Sequence, residues 1–185
     1  MSQALSAPVS SRWSVQELVV IGVFSAAVKI STLLVALVGG GPNPVGFLAK
    51  NLIFTTLFIV MLYKVRRPGT LSLFIFINIL VSMMLLGANV SLLPSMLGGA
   101  VLAELVVLAA GGMGRPWGPV LGVAVYDLSS KVFSLGISWL FMRENPAMLM
   151  VIIPFVAIGY IGSVGGLFTG VRAVKELRHA GIIRN

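Results

Sequence analysis

Apolar residues in this chain run in six long stretches, each closed by a short break rich in glycine, proline or charge. The first begins after Ser14 and continues to about Val38, where Gly39-Gly40-Gly41-Pro42 stops it. The second covers about Val45 to Tyr63 and ends at Lys64-Val65-Arg66-Arg67-Pro68-Gly69. The third spans about Thr70 to Leu86, the fourth about Ser91 to Ala110, the fifth about Val120 to Met142 and the sixth about Met148 to Val171. A membrane-spanning helix takes about 20 mostly apolar residues, so each stretch reads as one span. The start of the first is marked by a capping box, Ser14 with Glu17 three residues on, and by Trp13 and Leu18 at the positions of a hydrophobic staple. The pattern predicts an all-α integral membrane protein, a six-transmembrane-helix bundle over residues 13–174. Residues 1–12 read as a polar, Ser-rich flexible tail and 175–185 as a basic one.

Composition strengthens this reading. Hydrophobic residues make up 58% of the 185 and charged residues only 10%, against about 25% charged in ordinary soluble domains. So few charges would leave a water-exposed surface covered in apolar patches. Six spans use most of the chain, leaving no room for a separate catalytic or nucleotide-binding domain.

Charge then orients the bundle. Thirteen Lys and Arg stand against five acids, a net charge of +8. Arg12, the Lys64/Arg66/Arg67 cluster, Arg115 and Arg172/Lys175/Arg178/Arg184 all fall on one side if the helices alternate. The opposite loops, Gly39–Gly46 and Gly87–Ser91, carry no charge, and the third has only Arg143 beside Glu144. Basic residues collect in cytoplasmic loops, so both termini are expected in the cytoplasm of a multi-pass cell-membrane protein, the plasma membrane of a prokaryote. The same rule accounts for the basic balance without nucleic acid as a partner. The first dozen residues read as a tail and not as a cleavable signal, because no small-residue cleavage site follows the first apolar run.

Much chemistry is absent from the sequence. There is no cysteine, and the one histidine, His179, lies in the basic tail. Disulfides, thiolate or histidine-pair metal sites and Ser/His catalysis are therefore not expected. No glycine-rich segment ending in Gly-Lys-Ser/Thr is present for ATP. The expectation is a protein that binds or transports, with no enzymatic activity and no cofactor of its own.

The informative residues are ionisable groups inside spans: Lys29 in the first, Lys50 in the second, Glu104 in the fourth, Asp127 and Lys131 in the fifth. Each costs about 2.5–3.5 kcal/mol at mid-membrane on insertion scales, so each should face protein or a wet cavity. Asp127 and Lys131 are four apart and can share a helical face, either as an internal ion pair or as ligand contacts. Glu104 can likewise neutralise Lys29 or Lys131. Three lysines against two acids leave one positive charge over, which points to an anionic substrate group or an unusual lysine; Lys50 can alternatively snorkel to the outer headgroups. Asn43, Asn51, Asn78 and Asn89 lie outward or mid-span, and Tyr126 adjoins Asp127. A cavity bordered by these, with Phe47 and Trp139 nearby, suits a small amphipathic molecule. The ligand-binding candidates are Lys29, Lys50, Asn78, Asn89, Tyr126, Asp127 and Lys131. Most of the polar ones can equally be satisfied by helix–helix hydrogen bonds.

Small residues recur at helical spacing. Gly162, Gly166 and Gly170 do so in the sixth stretch, Gly22 and Ala26 in the first, and such spacing favours close helix contact in lipid. For the sixth helix, packing within the bundle is the favoured reading; for the first, bundle packing and a partner's surface are both open.

The opening Trp13-Ser14-Val15-Gln16-Glu17-Leu18-Val19-Val20-Ile21-Gly22-Val23-Phe24-Ser25-Ala26, together with the six-span layout, resembles the substrate-binding S components of energy-coupling factor (ECF) transporters, and most the uncharacterised Trep_Strep/MptS-type branch. The resemblance covers nearly the whole chain on a short, apolar motif. It implies a membrane subunit that captures a vitamin-like micronutrient from outside and topples in the membrane as partners cycle. Those partners are a membrane coupling subunit (the T component) and two ECF ATPases, which would explain the missing ATP site. The family's Ala-x-x-x-Ala docking pattern on the first helix falls here on Gly22 and Ala26, the Gly departing from the pattern while staying small. Nickel and cobalt members use an N-terminal Met-His segment; this chain begins Met1-Ser2-Gln3, so an organic substrate is expected, with the positive surplus favouring an anionic cofactor precursor such as a pterin or tetrapyrrole. The alternative is a self-sufficient secondary permease in which Asp127 or Glu104 relays protons, although no inverted repeat is visible. An assembly protein without a cavity is a third reading.

Overall fold

The computed structural model describes residues 13–39, 43–86, 93–141 and 146–182. They form six helices: α1 (Val15–Val38), α2 (Pro44–Lys64), α3 (Thr70–Leu86), α4 (Leu93–Ala109), α5 (Gly118–Phe141) and α6 (Pro146–His179). Four are long and apolar enough to cross a bilayer; α3 and α4, at 17 residues each, sit at the short end of the spanning range. Large apolar side chains such as Val38, Met84, Phe141 and Phe168 are exposed on the outside of the bundle, as lipid contact requires.

The first cap forms as its residues predict. The Ser14 side chain accepts from the Glu17 amide, and the Glu17 carboxylate accepts from the Ser14 amide 2.9 Å away. The other Glu17 oxygen pairs with Arg67 at 2.7 Å, which ties the start of α1 to the α2–α3 connection. Trp13 packs at Gly69 in that same connection. At the opposite face, Asn43 caps α2 by accepting from the Gly46 amide, and Pro44 follows at the first helical position, where its missing N–H costs nothing.

Helix α2 is the central element, packed on α1, α5 and most extensively on α6. The spaced glycines of α6 account for the last contact. A side-chain carbon at Gly162 would collide with the Leu48 backbone, one at Gly166 would lie 2.6 Å from the Thr55 Cβ, and one at Gly170 would press on Ile59. The two backbones approach because these positions are bare, and Thr56 and Thr169 then meet hydroxyl to hydroxyl at 2.6 Å. These glycines serve the interior of the bundle.

Two elements differ from the sequence pattern. Helix α6 does not stop at Val171 but continues to His179, so the first five residues of the expected basic tail, 175–179, are helix. Its 34 residues reach about 51 Å at about 1.5 Å per residue, well beyond a hydrocarbon core of about 30 Å. Glu104 does not meet Lys29 or Lys131. It accepts from the Gly69 amide and from both the amide and hydroxyl of Ser72, at 3.0 and 2.7 Å for the latter two. Glu104 thus caps the start of α3, where unpaired N–H groups and the helix dipole favour a carboxylate.

The dry core occupies the cytoplasmic half. Phe58, Ile59, Met61 and Leu62 from α2 pack with Leu71, Phe74 and Ile75 from α3 and with Ala103, Val107 and Val123. The rings of Phe58 and Phe74 stack at 4.7 Å, and Tyr126 meets Phe58 edge-on at 5.5 Å. Phe54 joins this group, and above it the packing opens.

Candidate ligand-binding site

A cavity of about 320 Å³ lies above the aromatic cluster. Helix α2 contributes Phe47, Asn51 and Phe54; α4 contributes Ser95 and Met96; α6 contributes Val156. The polar wall is α5, where Tyr126, Asp127, Ser130, Lys131 and Ser134 line the space. Positions 127, 130, 131 and 134 share one helical face by the three- and four-residue spacing. The α2, α4 and α6 contributors come from the non-cytoplasmic ends of their helices and those of α5 from its middle outward, so the cavity lies in the half of the bundle turned away from the basic loops.

The charged pair sits within this wall. Lys131 Nζ donates to Asp127 Oδ1 at 2.6 Å and to Ser163 Oγ of α6 at 3.0 Å. Both side chains are largely buried, with 15% and 8% of their surface exposed. The Tyr160 ring lies 5.8 Å from the ammonium. An ammonium has three N–H donors and a carboxylate two oxygens. Among the described residues two of the donors and one of the oxygens are engaged, which leaves the pair a donor and an acceptor.

The candidates separate into groups. Tyr126, Asp127 and Lys131 are brought together in the cavity wall. Lys29 and Asn78 are not in it: they form a second polar cluster between α1 and α3, in which Lys29 donates to Ser82, and Asn78 donates to Ser25 and to the Phe74 carbonyl. Lys50 is half-buried on α2 outside the cavity lining. Asn89 lies outside the described residues. The two charges lining the cavity cancel, and Lys29 and Lys50, which pair with no acid among the described residues, both lie outside its lining. Trp139 faces an apolar groove on the outer α4–α5 surface and not the cavity. Ser130 and Ser134 were not among the candidates, although their three- and seven-residue spacing from Asp127 is a signal that could have found them; Ser95, Met96 and Phe54 depend on which helices are neighbours and leave no signal in the sequence.

On α1, Ile21, Ser25 and Val28 are buried, while Gly22 and Ala26 face away from them. Nothing lies within 4 Å of the place where a Gly22 side chain would begin, and Ala26 is exposed. These small residues leave an open strip on the membrane face of the bundle.

A solved structure described as the crystal structure of an S-component of an ECF transporter superposes on this chain with a TM-score of 0.60 and 20% identity, covering 93% of this chain and 89% of the other. At that identity the likeness carries the fold: six helices in the arrangement of an S component. No curated protein matches the chain in sequence. Residues 15–150 match the sequence profile of a family described as hypothetical bacterial integral membrane protein (Trep_Strep). With most of its length matched, the chain belongs to the Trep_Strep family of integral membrane proteins.

Proposed function

We propose that this protein is the substrate-binding membrane subunit of an ECF-type importer in a prokaryotic cell membrane, capturing a small organic micronutrient from outside. The observation that carries the proposal is the outward cavity, with a buried but unsaturated Asp127–Lys131 pair on one wall and Phe47 and Phe54 on another. Aromatic walls with a few convergent polar groups are the usual make-up of a small-molecule site. At about 320 Å³ the cavity lies at the small end of the range of about 300–1,000 Å³ for such sites, which favours a one- or two-ring molecule of pterin size over a tetrapyrrole. The free donor of Lys131 suits a carboxylate, phosphate or ring carbonyl, and the free oxygen of Asp127 suits a ring N–H beside it.

The chain then needs neither ATP chemistry nor catalysis, because a coupling subunit and two ATPases supply the work. The open strip at Gly22 and Ala26 supports docking of the coupling subunit there. Mass spectrometry of small molecules retained through purification in mild detergent tests the reading. The expected result is one organic compound at near-stoichiometric occupancy, lost in Lys131→Met, together with co-purification of the coupling subunit and ATPases when these are co-expressed. Solute uptake by the chain alone in liposomes, without those partners, would refute it.

A further inference from the structure

A second concavity lies on the opposite half of the molecule, between the cytoplasmic parts of α5 and α6, with a volume of about 770 Å³. Its walls are Val120 of α5 and Val164, Leu167, Phe168 and Val171 of α6. Phe168 is 75% exposed and Val171 44%, so the slot is open to the bilayer along its length. At its cytoplasmic end the lining changes character abruptly, to Arg172, Lys175 and Glu176. Glu176 forms no ion pair with either cation among the described residues, and two cations against one acid leave the mouth positive.

Depth fixes what such a mouth meets. Trp117 lies one helical turn before Val120, is 45% exposed and has the Arg115 guanidinium 5.6 Å from its ring. Exposed tryptophan and flanking arginine mark the boundary between hydrocarbon and water. Arg172 and Lys175 follow Phe168 and Val171 by one turn on α6 and so reach the same boundary. The slot therefore lies in the inner leaflet with its cations at headgroup level. Helix α1, which bears the open small-residue strip, packs chiefly on α2 and α3, so a partner docked there leaves the α5–α6 slot facing lipid.

We infer that this slot is a binding site for one anionic phospholipid, with an acyl chain against Val164, Leu167 and Phe168 and its phosphate held by Arg172 and Lys175. An apolar cleft between spans, capped on the cytoplasmic side by basic side chains, matches an anionic lipid in both charge and depth. A zwitterionic lipid carries its own cation at the same level and gains less from the pair. The inference is independent of which solute the outer cavity takes.

The test is native mass spectrometry of the full chain released from nanodiscs of equal parts phosphatidylglycerol and phosphatidylcholine. The wild type is expected to retain phosphatidylglycerol several-fold over phosphatidylcholine. Arg172→Gln with Lys175→Gln should bring the ratio close to one. Lys64→Gln with Arg66→Gln, which removes two charges from the α2–α3 side, should leave it unchanged. Val164→Trp, which fills the slot, should reduce retention of both lipids, and helical circular dichroism with monodisperse elution confirms that each variant compared is folded. No headgroup preference in the wild type, an unchanged ratio in the α6 double variant, or equal loss in the α2–α3 control would overturn the site. So would undiminished retention in Val164→Trp, or displacement of the lipid by inorganic phosphate, which would make the mouth a soluble-anion site.

Discussion

The Lys131 ammonium lies 2.6 Å from the Asp127 carboxylate, one turn away on the inner face of α5, and bridges onward to Ser163 of α6. The pair therefore has two roles, fastening α5 to α6 and presenting spare hydrogen-bonding capacity to the outer cavity. Removing one partner of a buried pair leaves the other uncompensated, which costs about 3–5 kcal/mol in dry interiors; beside an open cavity the cost should be smaller. Asp127→Asn and Lys131→Met are each expected to lower the melting temperature in detergent, and the double variant to lower it by less than the sum. A strictly additive double variant would show that the two side chains are not energetically coupled.

Ligand affinity should divide the lysines by location. Hydrogen bonds to charged groups are worth about 1.5–3 kcal/mol, about ten- to a hundredfold in affinity. Lys131→Met is expected to weaken binding of the retained compound by that factor, whereas Lys29→Met and Lys50→Met, both outside the cavity lining, leave it nearly unchanged. Isothermal titration with the compound identified from the purified protein measures all three. An equal loss from Lys29→Met would move the binding site to the α1–α3 cluster.

Two sets of glycines should respond oppositely to enlargement. A side chain at Gly22 meets open space, so Gly22→Leu and Ala26→Leu should keep the fold and ligand binding while abolishing co-purification with the coupling subunit. Gly162→Leu and Gly166→Leu drive into the α2 backbone, and overpacking of this kind costs about 1–3 kcal/mol or more. Their expected signature is a lowered melting temperature before any partner is added. Full co-purification of the α1 variants would place the docking surface elsewhere.

Glu104 gives a separate test of the α3 cap. Glu104→Gln retains one acceptor oxygen and loses the charge facing the helix N-terminus, which together are worth about 1–2 kcal/mol. Thermal unfolding in detergent should show that loss without a change in ligand affinity, because Glu104 lies below the aromatic cluster. A large change in affinity would instead connect it to the cavity.

Features governed by neighbours along the chain were legible in the sequence. Ser14 and Glu17 form their cap, the six apolar runs become six helices, and Asp127 meets Lys131, because each depends only on spacing within one segment. The bare face of α6 could be read as a contact, though not as a contact with α2. Where the sequence pointed elsewhere, the deciding fact was which helices lie side by side. Glu104 is drawn to the amides of Gly69 and Ser72 instead of to an ammonium, and Lys29 and Asn78 face the α1–α3 seam while Tyr126 faces the cavity. The end of α6 was misplaced for another reason: apolar character falls away after Val171, yet Arg172, Lys175 and Glu176 are good helix formers and the backbone simply continues into water.

The stacked rings of Phe58 and Phe74, with Tyr126 and Phe54 upon them, make the outer cavity a cul-de-sac. A solute that settles beside Lys131 finds no corridor leading on to the cytoplasm through the described residues, only tightly fitted hydrocarbon. On the proposed function, delivery inward would fall to a tipping of the whole cup by the coupling partners, and the chain's own share would be to hold the cargo until then.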